Sequence, residues 1–201
     1  MGRLIPRLLG AVLLALSPAA FAAVIGLAPP AQDATAPGTL EVAVVVSGLG
    51  DGTAPSIGAF DVQVAFDPAL LLATSIEYGD RALGNQLDLF SLGSIQLPSI
   101  APGAVQIVEI SLDLTDDLNA LQAPAFTLAY IHFSALAPGA ASLTLSVNSL
   151  ADAVGDPLDY TLEPDARVAI TGTTAVPEPG TFVLTALALA SFAVGRRRSK
   201  V

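Results

Sequence analysis

The chain has 201 residues, enough for one domain once its two unlike ends are set aside. It has no cysteine, which excludes disulfides, thiol catalysis, thiolate metal sites and haem attachment through cysteine. The formal net charge is −10, yet six of the eight basic residues (Arg3, Arg7, Arg196, Arg197, Arg198 and Lys200) lie at the ends; the acidic centre keeps only Arg81 and Arg167, which excludes nucleic acid as a partner because phosphate binding relies on Lys and Arg.

The first segment, 1–22, has the layout of a secretory signal. Arg3 and Arg7 form a basic start, Leu8 to Leu16 a compact apolar stretch, and Ala20-Phe21-Ala22 places small residues where a signal peptidase reads them. Cleavage after Ala22 is expected, with Ala20 and Ala22 as the recognised positions.

Residues 23–175 carry the periodicity of strands. Leu40, Val42, Val44 and Val46 alternate with Glu41, Ala43, Val45 and Ser47, and Phe60, Val62, Val64 and Phe66 alternate with Asp61, Gln63, Ala65 and Asp67. Val108, Ile110 and Leu112 form another such run. Leu118 to Leu121 offers one helical turn. Phe126 to Phe133 is apolar on both faces and reads as a central strand, with Tyr130 in the core. Leu143 to Asn148 and Arg167 to Thr171 complete the series. The 17 glycines and 15 prolines fall between these runs, at Gly48 to Gly52, Asp67-Pro68, Pro102-Gly103, Pro138-Gly139 and Gly155-Asp156-Pro157. Hydrophobic residues make up 53% of the chain, ample for a core. Short alternating strands joined by such turns predict an all-β, antiparallel two-sheet sandwich.

The last segment, 176–201, joins Val176-Pro177-Glu178-Pro179-Gly180 to an uncharged run from Thr181 to Gly195 and then to Arg196, Arg197 and Arg198. As a helix that run spans ~22 Å, short of the ~30 Å core of a bilayer. The arginines extend its reach and keep the basic end in the cytoplasm, a membrane stop suited to temporary anchorage.

Chemistry is harder to find. His132 is the single histidine, in register with Phe126, Leu128 and Tyr130, and is expected to be a packed or rim residue. There is no nucleophile elbow of the Gly-x-Ser-x-Gly type, and no pair of carboxylates stands out for glycoside hydrolysis. No catalytic residue, metal ligand or cofactor is therefore expected. Calcium is the one ion that the Asp113, Asp116, Asp117 loop or the Asp152, Asp156, Asp159 loop offers oxygens to, although neither is an EF-hand. There is no tryptophan, and Tyr78 and Tyr160 are the candidate surface rings for stacking on a sugar.

The terminal order of Pro177-Glu178-Pro179, apolar helix and arginine cluster resembles the PEP-CTERM sorting signal. The resemblance implies a Gram-negative bacterium that makes exopolysaccharide, with an exosortase as processing partner. Pro177, Glu178 and Pro179 would be its recognition residues, and the chain a transient inner-membrane precursor. Gly58 to Leu71, a strand entering an aromatic-Asp-Pro turn, resembles the early part of cohesin domains, and Phe126 to Leu145 a later part. This implies a nine-stranded jelly-roll sandwich. The expected function is that of a non-enzymatic surface or extracellular-matrix protein acting through protein-protein adhesion or matrix structure. The alternative is a carbohydrate-binding module for exopolysaccharide, and a hydrolase is the third reading.

Overall fold

The computed structural model describes residues 22–172, so the signal segment to Phe21 and the sorting tail lie outside the described residues. Twelve strands and one short helix follow in chain order: β1 (Ala23–Ala28), β2 (Ala31–Ala36), β3 (Gly38–Ser47), β4 (Ile57–Ala65), β5 (Leu71–Tyr78), β6 (Ile95–Gln96), β7 (Ser99–Ala101), β8 (Ala104–Ile110), α1 (Thr115–Leu121), β9 (Phe126–Ala135), β10 (Gly139–Asp152), β11 (Tyr160–Leu162) and β12 (Ala166–Gly172). They form two sheets. One runs β11-β1-β3-β9-β5; the other runs β2-β12-β10-β4-β8-β6, with β7 also paired to β8.

Alternation builds the sandwich. Phe60, Val62 and Val64 of β4 point inward, as do Leu40, Val42, Val44 and Val46 of β3 and Leu143 and Leu145 of β10. Each large aliphatic side chain removed from water in this way contributes about 1.5–3 kcal/mol. Phe66 and Phe133 pack edge to face, with centroids 5.1 Å apart and planes at 80°. The Asp67-Pro68 turn is closed from both ends of one residue: Asp67 Oδ1 accepts the Ala69 N–H at 2.8 Å, while its carbonyl accepts those of Leu70 and Leu71. Strand β9 is internal, between β3 and β5, as its two apolar faces predict.

Four features depart from the sequence-based expectation. The jelly roll has twelve strand segments instead of nine, among them the short pieces β6, β7 and β11 of 2, 3 and 3 residues. Two pairings are parallel, β1 with β11 and β2 with β12. The inward face of β8 is Val105, Ile107 and Glu109, all fully buried, and Ile110 and Leu112 are exposed. Finally, Tyr130 is not in the core: a bulge where Val44 and Val45 of β3 face Ala129 and Thr127 of β9 shifts the parity of the strand. Beyond it Ile131 and Phe133 are buried, and Tyr130 and His132 look outward.

Candidate functional site

Three features of the sandwich carry polar or exposed apolar groups in unusual company. The first is on the outer face of the five-stranded sheet. Registers place Glu41 opposite His132 and Glu77 opposite Tyr130, so three adjacent strands present their side chains together. Arg81, just after β5, donates from Nη1 and Nη2 to the two oxygens of Glu41 at 2.8 and 2.7 Å, and from Nη2 to Glu77 Oε2 at 2.7 Å. Its guanidinium carbon stands 3.9 Å above the centre of the Tyr130 ring. Hydrogen bonds from Arg81 hold both carboxyls below the ordinary range, and the same bonds raise Arg81 further above its own. His132 stands between the acids, Nδ1 3.2 Å from Glu41 Oε2 and Nε2 3.6 Å from Glu77 Oε2. An open groove of about 580 Å³ continues from Glu41 and His132 past Thr39, Thr74 and Ser75.

The second feature is a latched loop between β5 and β6. Gly79 (φ +86°) opens it, where a Cβ would lie 2.9 Å from Asn85 Cα, so only glycine fits. Asp80 Oδ1 accepts the N–H groups of Ala82 and Leu83, and Oδ2 that of Thr127. The loop closes over Glu109, which is 0% exposed. Glu109 Oε1 accepts from Asn85 Nδ2, Ser94 Oγ and Gln96 Nε2, and Oε2 has no partner.

The third feature is apolar. Phe90, Leu92, Ile95, Ile110, Leu112 and Leu114 are exposed, Leu92 at 81% and Leu114 at 71%. They are one strip: Ile95 pairs with Ile110 across β6 and β8, and the Leu89 N–H donates to Asp113 Oδ2 at 2.7 Å, tying the Phe90 loop to the Leu112–Leu114 segment. Residues 83–121 contain no Lys, Arg or His, and Asp88, Asp113, Asp116 and Asp117 flank the strip. Exposed large apolar side chains gathered in this way mark interaction surfaces.

The residues singled out in the sequence are scattered. Tyr78 is half-buried against the core, and its hydroxyl donates to the Val108 carbonyl at 3.2 Å; burial and the nearby Glu109 push its phenol up to about 12. Tyr160 is exposed and lies on β11, at the opposite edge of the sheet from β5, so the two rings are about 19 Å apart by strand spacing and form no common platform. Of the aspartates in the two loops, Asp152 Oδ1 accepts the N–H groups of Val154 and Asp156, and Asp113 Oδ2 accepts that of Leu89 from the neighbouring loop. Among the described residues, Glu41, Glu77 and His132 are the group whose ligand atoms lie within 4.8 Å of one another. No local spacing announces it, since the three come from different strands. Among the described residues no helix is long and apolar enough to cross a membrane. Ala20, Pro177, Glu178, Pro179 and Arg196 to Arg198 lie outside the described residues, whereas Ala22 immediately precedes β1.

Comparison with known proteins bears on the C-terminal tail and on the fold of the sandwich. Residues 175–199 match the PEP-CTERM protein-sorting motif. The motif marks an exported, membrane-anchored precursor that is processed by an exosortase and sorted to the surface. No curated protein matches the chain in sequence. The sandwich is similar to solved cohesins: one from Clostridium acetobutylicum (16% identity, TM-score 0.55, 76% of this chain and 93% of that one), and the non-cellulosomal cohesin of Archaeoglobus fulgidus (14%, 0.54, 75% and 91%). A chain of a type I cohesin–dockerin complex from Clostridium thermocellum is similar too (10%, 0.58, 76% and 95%). At these identities the likeness establishes the cohesin-like jelly-roll fold.

Proposed function

We infer that this exported chain is a non-enzymatic binding module of the cell surface or extracellular matrix, and that it docks another protein along the strip from Phe90 to Leu114. The observation that carries the reading is the strip itself, large exposed apolar side chains in a stretch of sequence whose charged residues are all acidic. The cohesin-like fold supports it, since proteins of that fold have been solved in complex with dockerins. Charge selects the occupant. A second copy would set Asp88, Asp113, Asp116 and Asp117 against the same four acids, and like charges across an interface are costly. A segment with apolar residues flanked by Lys and Arg would meet complementary groups at both the centre and the rim. The basic residues nearest in sequence do not compete for the acids, because Arg81 is held by Glu41 and Glu77 and Arg167 lies on β12, three strands from β8.

The test is retention of host surface proteins on the immobilised full chain and on a Leu92→Asp/Leu114→Asp variant. A protein retained by the first, weakened by salt and lost from the second, supports the reading. Equal retention on both removes the strip as the docking face. Self-association abolished by the same variant would make the partner a second copy. Saturable binding of the host's deproteinised polysaccharide, with or without calcium and unaffected by the variant, would favour the carbohydrate-binding alternative.

A further inference from the structure

We propose that Glu41, Glu77 and His132 form a binding site for a first-row divalent metal ion, zinc in the first instance, for which Arg81 is the built-in competitor. The three ligands stand on β3, β5 and β9, hydrogen-bonded neighbours in one sheet, so the scaffold that converges them is fixed by strand register. Their ligand atoms lie within 4.8 Å of one another.

The imidazole supplies the second argument. Both of its ring nitrogens face carboxylate oxygens, at 3.2 and 3.6 Å. The imidazolium donates from both nitrogens to the two acids, whereas the neutral ring has a single N–H and presents one lone pair to an oxygen that is also an acceptor, so a metal ion would take the place of that second proton. Arg81 does not relieve this contact: its donors go to Glu41 and Glu77. A metal ion between the three would satisfy the ring lone pair and one oxygen of each acid together. The ring's other nitrogen would still face a carboxylate, the kind of partner that fixes tautomer and orientation at metal-bound histidines.

The donor set selects the metal. One imidazole with two carboxylates and no thiolate suits zinc and copper, whereas calcium and magnesium prefer oxygen alone. Three protein ligands leave a fourth, solvent-facing position. Arg81 must swing out to admit the ion. It is about half exposed, so the path outward is open, and its bonds to Glu41 and Glu77 are what the ion has to displace.

The experiment is calorimetric titration of zinc chloride into the full chain, purified without a polyhistidine tag, with the ring resonances of His132 followed by NMR. His132 is the sole histidine and there is no cysteine, so a ring signal that moves reports this site. One zinc per chain with a shift of the His132 resonances is expected. His132→Gln should abolish that binding while leaving any diffuse binding to the acidic surface. Arg81→Gln should tighten it about tenfold, by removing two exposed ion pairs that zinc has to break. An excess of calcium should not displace the zinc. Absence of binding in both the native chain and Arg81→Gln would overturn the proposal, as would zinc binding of equal strength in His132→Gln. All three side chains reach solvent, and circular dichroism of each variant verifies that the sandwich is intact.

Discussion

Asp80 Oδ2 accepts the backbone N–H of Thr127 at 3.0 Å, so one carboxylate ties the loop after β5 to the first residues of β9. Its other oxygen accepts the N–H groups of Ala82 and Leu83 at 2.8 and 3.1 Å. Burial pushes this carboxyl up, but the bonds from Thr127, Ala82 and Leu83 outweigh it and hold Asp80 below the ordinary range. A lowered acid stabilises the fold above its ordinary pKa, and that contribution is lost as pH falls through the folded value. Asp80→Ala should cost about 1–3 kcal/mol in urea unfolding at pH 7, the loss of charge-assisted bonds at a partly exposed site. At a pH below the folded value of Asp80 the variant and the native chain should converge; an undiminished difference there would assign the effect to packing.

Tyr78 makes the opposite prediction at high pH. Its phenol is pushed up to about 12, first by burial and then by Glu109. Stability from a raised acid is complete below the unfolded value of about 10 and is lost as pH rises through the folded value. Between pH 10 and 12 the native chain should lose stability, and Tyr78→Phe should lose less, since it has no phenol to ionise. Ultraviolet titration should show a late phenol ionisation, and that late step should vanish in the variant.

Glu109 fixes the latched loop from below. Removing its side chain leaves the donors of Asn85, Ser94 and Gln96 without their acceptor and opens a cavity in the sheet. Glu109→Ala should therefore cost about 2–4 kcal/mol. Glu109→Gln keeps the accepting oxygen and should cost less than half of that. Limited proteolysis gives the local readout: cleavage within 85–94 should accelerate in Glu109→Ala and change little in Glu109→Gln.

What was legible in the sequence follows from which signals are local. Strand β4 could be read from its own residues because Phe60, Val62 and Val64 alternate with Asp61 and Gln63 and one face meets water. The terminal sorting motif is contiguous and was equally plain. The direction of Tyr130 and His132 was not, because the bulge opposite Val44 and Val45 belongs to a pair of strands and leaves no mark in either alone. For the same reason the cluster of Glu41, Glu77, Arg81 and His132 had no signature: cross-strand register assembles it from residues far apart in the chain. The inward turn of Tyr78 depended on β8 lying beneath it.

Strand β8 is the sharpest of these cases and gives the last prediction. In Val105-Gln106-Ile107-Val108-Glu109-Ile110 both parities are apolar apart from one polar residue each, and the acid argues for putting Val108 and Ile110 inside. The structure has the acid parity inside, because Asn85, Ser94 and Gln96 supply donors that make burial of Glu109 tolerable. A shift of one residue exchanges the two faces of a strand, so charge placed on each parity tells them apart. Ile107→Asp would bury an acid with no donors beside Val62 of the paired strand; it should cost several kcal/mol and abolish cooperative unfolding. Leu112→Asp, on the parity continued beyond the strand end, meets solvent and should move the melting midpoint by no more than about 4 °C. The reverse outcome, a tolerated Ile107→Asp and a collapsed Leu112→Asp, would require β8 to slip by one residue and would take Glu109 out of the core with it.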